Sequence, residues 1–302
     1  MSGDGRDGRL GYLLLASITL FWGVNWPAIK LSVGVLSVWD FRLLSAGVGG
    51  LGLLTIARLG RERLAVPRSQ VGPLLLCALF NVVGWHLCSA FGVLLMPAGR
   101  AAILAFTMPL WASLFAVPIL GERLTATRVY GLLLGLAGLA VLVGPDLVVF
   151  RTAPLGAGFM VLAAVSWGLG TVLLKRFRWT IATTTLAGWQ QLAGALAIGL
   201  AGLAAGGLDP WPADIAPVNL AAIAYAVSVP MIYCFWAFMY TVRLLPAPVA
   251  AIGTLAVPVV GVFSGALLLG EPVGLREVGA LLLICSALAV VLVLPAWRGR
   301  RA

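Results

Sequence analysis

Charge is what this 302-residue sequence has least of: Asp, Glu, Lys and Arg together make up 10% of it, and hydrophobic residues 62%. A soluble fold is about one quarter charged and has no place for so much apolar surface. The acidic residues number 10, and every one of them, including Asp40, Glu122, Glu271 and Glu277, falls in a loop or near the end of an apolar run. A carboxylate in the middle of a run, the usual means of binding an organic cation or coupling to protons in a bilayer, is missing. No pair of Lys or Arg stands mid-run either, which argues against a sugar phosphate and for a substrate that is neutral or zwitterionic overall. Histidine occurs once, as His86. Without an HExxH pair, a nucleophile elbow or a cluster of metal ligands, no enzyme, metal or cofactor is expected. The four cysteines, Cys77, Cys88, Cys234 and Cys285, lie in apolar runs and act as small hydrophobes. Cys77 and Cys88 share a helix face but stand about 16 Å apart along it, too far for a bridge.

What is present is a succession of apolar segments, each long enough to cross a hydrocarbon core of about 30 Å. Breaking them at charge clusters and Pro/Gly-rich turns predicts ten helices, near 10–30, 37–57, 72–93, 99–119, 129–145, 155–175, 181–205, 218–241, 247–269 and 275–295. The first run follows Arg6 and Arg9 as a signal peptide would, but it is too long, carries Trp22, Asn25, Trp26 and Pro27, and lacks a small-residue cleavage site. It is read as a retained helix. With the N-terminus in the cytoplasm, only Lys30, Arg42, Arg100, Arg151 and Arg276 of the 20 basic residues fall outside, so both termini are expected to be cytoplasmic. Loops facing an anionic leaflet account for the net charge of +10, and no nucleic acid partner is needed.

The sequence is written twice. "WGVNWPAIK" (Trp22–Lys30) returns as "WGLGTVLLK" (Trp167–Lys175), and "TMPLWASLFAVPILGERLTATRVYG" (Thr107–Gly131) aligns with "AVPVVGVFSGALLLGEPVGLREVG" (Ala256–Gly279). Pro109 precedes Glu122 by the same interval that separates Pro258 from Glu271. Two halves, 1–150 and 151–302, each of five helices, are the natural reading. An odd number of crossings makes the second half enter from the opposite face, so the fold class expected is an all-α integral membrane protein of ten transmembrane helices in two inverted repeats, the architecture of secondary transporters.

"LGERLTATRVYGLLLGLAGLAVLV" and "LLGEPVGLREVGALLLICSALAVVLV" resemble the end of the EamA repeat of the drug/metabolite transporter superfamily, and "WDFRLLSAG" (Trp39–Gly47) is similar to the start of its second helix. The resemblance covers nearly the whole chain and extends to the amino-acid-exporting, YddG-like branch. It implies a ten-helix carrier in a bacterial-type inner membrane, with a central cavity lined mainly by the third, fourth, eighth and ninth helices and their repeat partners. It does not imply one substrate.

Pro109 and Pro258 are placed near the middle of the fourth and ninth helices, where a residue without a donor weakens the helix one turn back. They are a candidate pair of hinges, or static kinks. Aromatic and polar residues recur at helical spacing: Trp22, Asn25 and Trp26; Asn81, Trp85 and Cys88; Tyr233 and Trp236. Trp39, Trp179, Trp211 and Trp297 suit an interfacial belt. Trp22, Trp85, Trp167, Trp189 and Trp236 fall deeper, where bundle packing explains them as well as cavity lining does. Asn25, Asn81, His86, Gln190 and Gln191 are polar groups at membrane depth and must face protein or water. The candidate substrate-binding set is Trp22, Asn25, Trp26, Asn81, Trp85, His86, Trp167, Gln190, Tyr233 and Trp236. Glu122 and Glu271 are read as structural, ordering the turn that follows them.

Three functions fit these features: export of amino acids, aromatic or large neutral ones, or of related metabolites by alternating access; export of drugs or other hydrophobic small molecules; and, from another class, an intramembrane lipid-modifying enzyme, which lacks any supporting motif. The partners expected are a small-molecule substrate and lipid, with the chain acting as a monomer.

Overall fold

The computed structural model describes residues 4–121, 126–143, 153–244 and 257–292, and every regular element among them is helical. In chain order these are α1 (Asp4–Val33), α2 (Val38–Leu59), α3 (Arg68–Ala78), a π-helical turn (Leu79–Gly84), α4 (Trp85–Leu95), α5 (Ala98–Ala105), α6 (Met108–Leu120) and α7 (Ala126–Val143). They continue with α8 (Pro154–Arg176), α9 (Thr183–Ala204), α10 (Pro217–Ser228), a second π-helical turn (Val229–Cys234), α11 (Phe235–Leu244), α12 (Val257–Leu269) and α13 (Leu275–Leu292). Among the described residues seven spans are long and apolar enough to cross a membrane: Arg9–Val33, Val38–Leu59, Arg68–Leu95, Ala98–Leu120, Pro154–Arg176, Thr183–Ala204 and Pro217–Phe238. The chain is an integral membrane protein. Leucines exposed along them, such as Leu13, Leu51, Leu162 and Leu196, provide the lipid-facing surface.

The segment ends follow local chemistry. Ser37 Oγ accepts the Asp40 amide at 3.1 Å and caps α2, while Asp40 Oδ2 receives the Ser37 hydroxyl at 2.6 Å and the Asp209 amide at 3.0 Å. Gly121 (φ 70°) and Gly270 (φ 65°) end α6 and α12 in the left-handed conformation that a Cβ disfavours. These are the glycines of the two Leu-Gly-Glu motifs, so that part of the repeat marks a helix stop.

Packing joins distant parts of the chain. α2 lies along α9, and α7 along α13; α1 packs on α10, α11 and α12, and α8 on α3, α4, α5 and α6. Small residues let the first pair approach closely: a Cβ at Gly50 would meet Leu192, and one at Gly188 would meet Leu54. The main core gathers Phe41, Val93, Ile103, Leu104, Met160 and Ile284 between these layers.

Two features depart from uniform helices. The run read as one helix over 99–119 is interrupted at Phe106 and Thr107, which places Pro109 in the first turn of α6 instead of mid-helix. A first-turn proline gives up no helical hydrogen bond, and its fixed φ suits a helix start. Pro258 is the second described residue of α12; the preceding part of the predicted ninth helix lies outside the described residues, as does Glu122. The two π-helical turns are the other departure, and both fall just before aromatic residues that face the interior.

Candidate functional site

A cavity of about 700 Å3, part of it open to solvent, lies where α1, α2, α4, α6, α8, α11 and α12 converge. α1 supplies Trp22, Asn25, Trp26 and Ile29, one face at i, i+3, i+4, i+7. α4 supplies Trp85, His86 and Ser89, α8 supplies Trp167, and Phe235 opens α11. Phe106 and Met108 flank the break between α5 and α6, and Val257, next to Pro258, begins α12. The break between α5 and α6 therefore borders the cavity.

The aromatic wall is built from matched pairs. Trp167 meets Trp85, with ring centroids 5.0 Å apart and planes tilted by 57°. Trp22, its counterpart in the first half, meets Phe235 edge-on at 6.1 Å. Trp85 and Phe235 are each the first residue after a π-helical turn. The wider turn changes which way the next side chains point, a role such turns often have at functional sites. The first turn's backbone is held from α8: the Ser166 hydroxyl donates to the Phe80 carbonyl at 2.7 Å.

Six of the ten candidate residues, Trp22, Asn25, Trp26, Trp85, His86 and Trp167, line this cavity. The other four do not. Asn81 Nδ2 donates to Gln190 Oε1 at 3.4 Å, tying the first π-helical turn to α9. Tyr233 shares a hydrogen bond with Ser17 at 2.8 Å and packs, with Trp236, on a separate cluster around Leu14 and Ile18.

Sequence reasoning missed Arg42. Counted there among the external cations, it is instead only 2% exposed and lines the cavity from α2. Its Nη2 donates to Ser89 Oγ at 2.9 Å, and its Nη1 stands 3.4 Å from His86 Nδ1. A guanidinium can only donate, so Nδ1 of His86 presents its lone pair and the ring proton sits on Nε2. The Arg42 Nε is buried without a hydrogen-bond partner, and so is Asn25 Oδ1. The signal for Arg42 was its place inside "WDFRLLSAG", a stretch otherwise suited to a helix.

Glu271 also acts at longer range than the following turn. Its carboxylate accepts the backbone amides of Ala98 at 2.7 Å and Gly99 at 2.9 Å, capping α5.

The EamA-like transporter family matches residues 9–144 and again residues 154–293. The chain belongs to that family. This EamA-like transporter is 27% identical to the uncharacterized transporter YvbV of Bacillus subtilis over 287 residues, which cover 92% of this chain and 90% of that one. It is 29% identical to a probable amino-acid metabolite efflux pump of Salmonella typhimurium over 300 residues, 93% of each chain. A protein of known crystal structure shares its fold at a TM-score of 0.66 and 23% identity, covering 94% of this chain and 96% of that one.

Proposed function

We propose that this transporter exports amino acids, aromatic or large neutral ones, or related small metabolites, by alternating access across a cytoplasmic (inner) membrane. The observation that carries the reading is the cavity itself: four tryptophans around a few polar groups, at the meeting point of helices from both ends of the chain. Such a space holds an apolar side chain against rings and a polar head group on fixed dipoles. The relative named as a probable amino-acid metabolite efflux pump supports the same substrate class.

The mechanism rests on two halves, 1–150 and 151–302, arranged as inverted five-helix repeats. The largest packing contacts pair off when the halves are exchanged. α2 with α9 and α7 with α13 map onto themselves, while α1 on α10, α11 and α12 maps onto α8 on α3, α4 and α6. A site at such an interface can open to either face as one half takes the other's conformation. Arginine-rich segments such as 58–68 and 175–178 favour both termini in the cytoplasm.

The test is transport by purified protein in liposomes, offered a panel of labelled amino acids. Movement of phenylalanine, tryptophan or leucine above protein-free liposomes is expected. Failure of every amino acid, with insertion verified, would leave the hydrophobic-drug reading in its place.

A further inference from the structure

A buried arginine with neutral partners is an incomplete arrangement. Arg42 touches Ser89, His86 and the face of Phe41, whose ring centroid is 4.9 Å from the guanidinium carbon. No described carboxylate lies within ion-pairing distance of it; the one ion pair among the described residues joins Arg100 to Glu277. The nearest acid in sequence, Asp40, is engaged by Ser37 and Asp209 at the end of α2. Removing a guanidinium from water without a counter-anion is costly, and its unpartnered Nε leaves a donor unused. The cost is offset once an anion enters the cavity that Arg42 lines.

We propose that Arg42 is the anchor for the substrate's carboxylate, so that the cavity selects aromatic and large apolar monocarboxylates, of which amino acids are one subset. The inference rests on the transport reading above. A carboxylate in the cavity would meet Arg42 together with the Nε2–H of His86, both donors, in a space with low polarity that strengthens charge-assisted bonds. An ammonium group finds no acidic side chain among the lining residues. Its available partner there is Asn25 Oδ1, a neutral acceptor without a bond of its own. The carboxylate is therefore required and the ammonium dispensable, which separates this site from one built for organic cations. Shape and burial of the remaining ligand are left to the tryptophans.

The test compares binding of four probes that share one body: 3-phenylpropanoate, 3-phenylpropanamide, phenylalanine and phenethylamine. Titration calorimetry on the intact detergent-solubilised protein should show 3-phenylpropanoate binding within about tenfold of phenylalanine. The amide and the amine should bind at least about thirtyfold more weakly, the lower end of what losing one partner of a buried charge pair costs. Equal affinity for the propanoate and its amide would overturn the proposal, with no variant needed. In Arg42→Gln the ratio of propanoate to amide affinity should collapse towards one. A parallel weakening of both probes with the ratio kept would show that Arg42 only ties α2 to α4, and would overturn it too. The transport reading fails separately: if liposomes move no amino acid but the carboxylate preference is seen, the anchor stands and the export of amino acids does not.

Discussion

The rings of Trp85 and Trp167 meet at 5.0 Å across the contact between α4 and α8, at the wall of the cavity. Trp167 is the residue that answers Trp22 in the written repeat, and Trp22 makes the matching contact with Phe235. The repeat in sequence is thus a repeat of contacts: in each half a tryptophan packs on the aromatic that follows a π-helical turn of the opposite chain segment. A site assembled from two such pairs can present similar walls whichever way it faces.

If these rings hold the substrate's side chain, Trp85→Ala and Trp167→Ala should lower the preference for phenylalanine over alanine by roughly two- to twelvefold, the range of aromatic pair energies beyond simple burial. Uptake of both amino acids by liposomes, at matched amounts of folded protein, gives the ratio. An unchanged ratio in both variants would make the pair a packing element and no more.

The interruption at Phe106 and Thr107 puts Pro109 where a helix restarts beside the cavity, and Pro258 is its counterpart in the written repeat. Replacing Pro109 by Ala restores an amide donor and permits a continuous helix across the break. If the two prolines serve the conformational step, Pro109→Ala and Pro258→Ala should each slow turnover several-fold while substrate affinity stays within a few-fold. Single-turnover and steady-state uptake separate the two quantities, and wild-type rates in both variants would make the prolines static features of their helices.

Much of the architecture was legible because a bilayer imposes a simple rule: long charge-free runs become helices, and charges collect where they end. The spacing from Trp22 to Trp26 gave one cavity face correctly for the same reason, since α1 is an uninterrupted helix there. Asn81 and Tyr233 defeat that reasoning. They lie within π-helical turns, whose extra residue per turn rotates them away from the direction that α-helical spacing assigns, and the stretches Leu79–Gly84 and Val229–Cys234 carry no composition that announces it. Arg42 was hidden for a different reason. Near a helix start a guanidinium can reach water or turn inward, and the choice is set by His86 and Ser89, more than forty residues away. Local sequence contains no term for that contact.

Orientation has its own test. Reporter fusions after Arg63 and Arg178 should report the cytoplasm, and fusions near Asp146 and Asp214 the exterior, because basic residues cluster in the first pair of segments. An external signal at Arg63 would reverse the topology and, with it, the direction in which the cavity is expected to load.

The corner between α4 and α5 is held from three other elements, and its strength can be measured. Lys30 Nζ, on α1, donates to the carbonyls of Val93 at 2.7 Å, Leu94 at 3.0 Å and Met96 at 3.0 Å, groups that the end of α4 leaves without helical donors. Glu271, just past α12, receives the first amides of α5, and Glu277 on α13 pairs with Arg100 at 2.8 Å. A carboxylate at a helix N-terminus both fills orphan donors and meets the positive end of the dipole. Removing such a cap costs about 1 kcal/mol and up to about 2, and Glu277, itself buried, also accepts the Gly274 amide at 3.0 Å besides pairing with Arg100. Thermal unfolding of the purified protein should therefore rank wild type above both Glu277→Ala and Glu271→Ala. Glu271→Gln should fall between wild type and Glu271→Ala, because an amide oxygen still accepts one backbone bond but carries no charge. A Glu271→Ala protein that melts with the wild type would mean that the two amides find equal partners elsewhere, and that this corner is not what keeps α5 against α12.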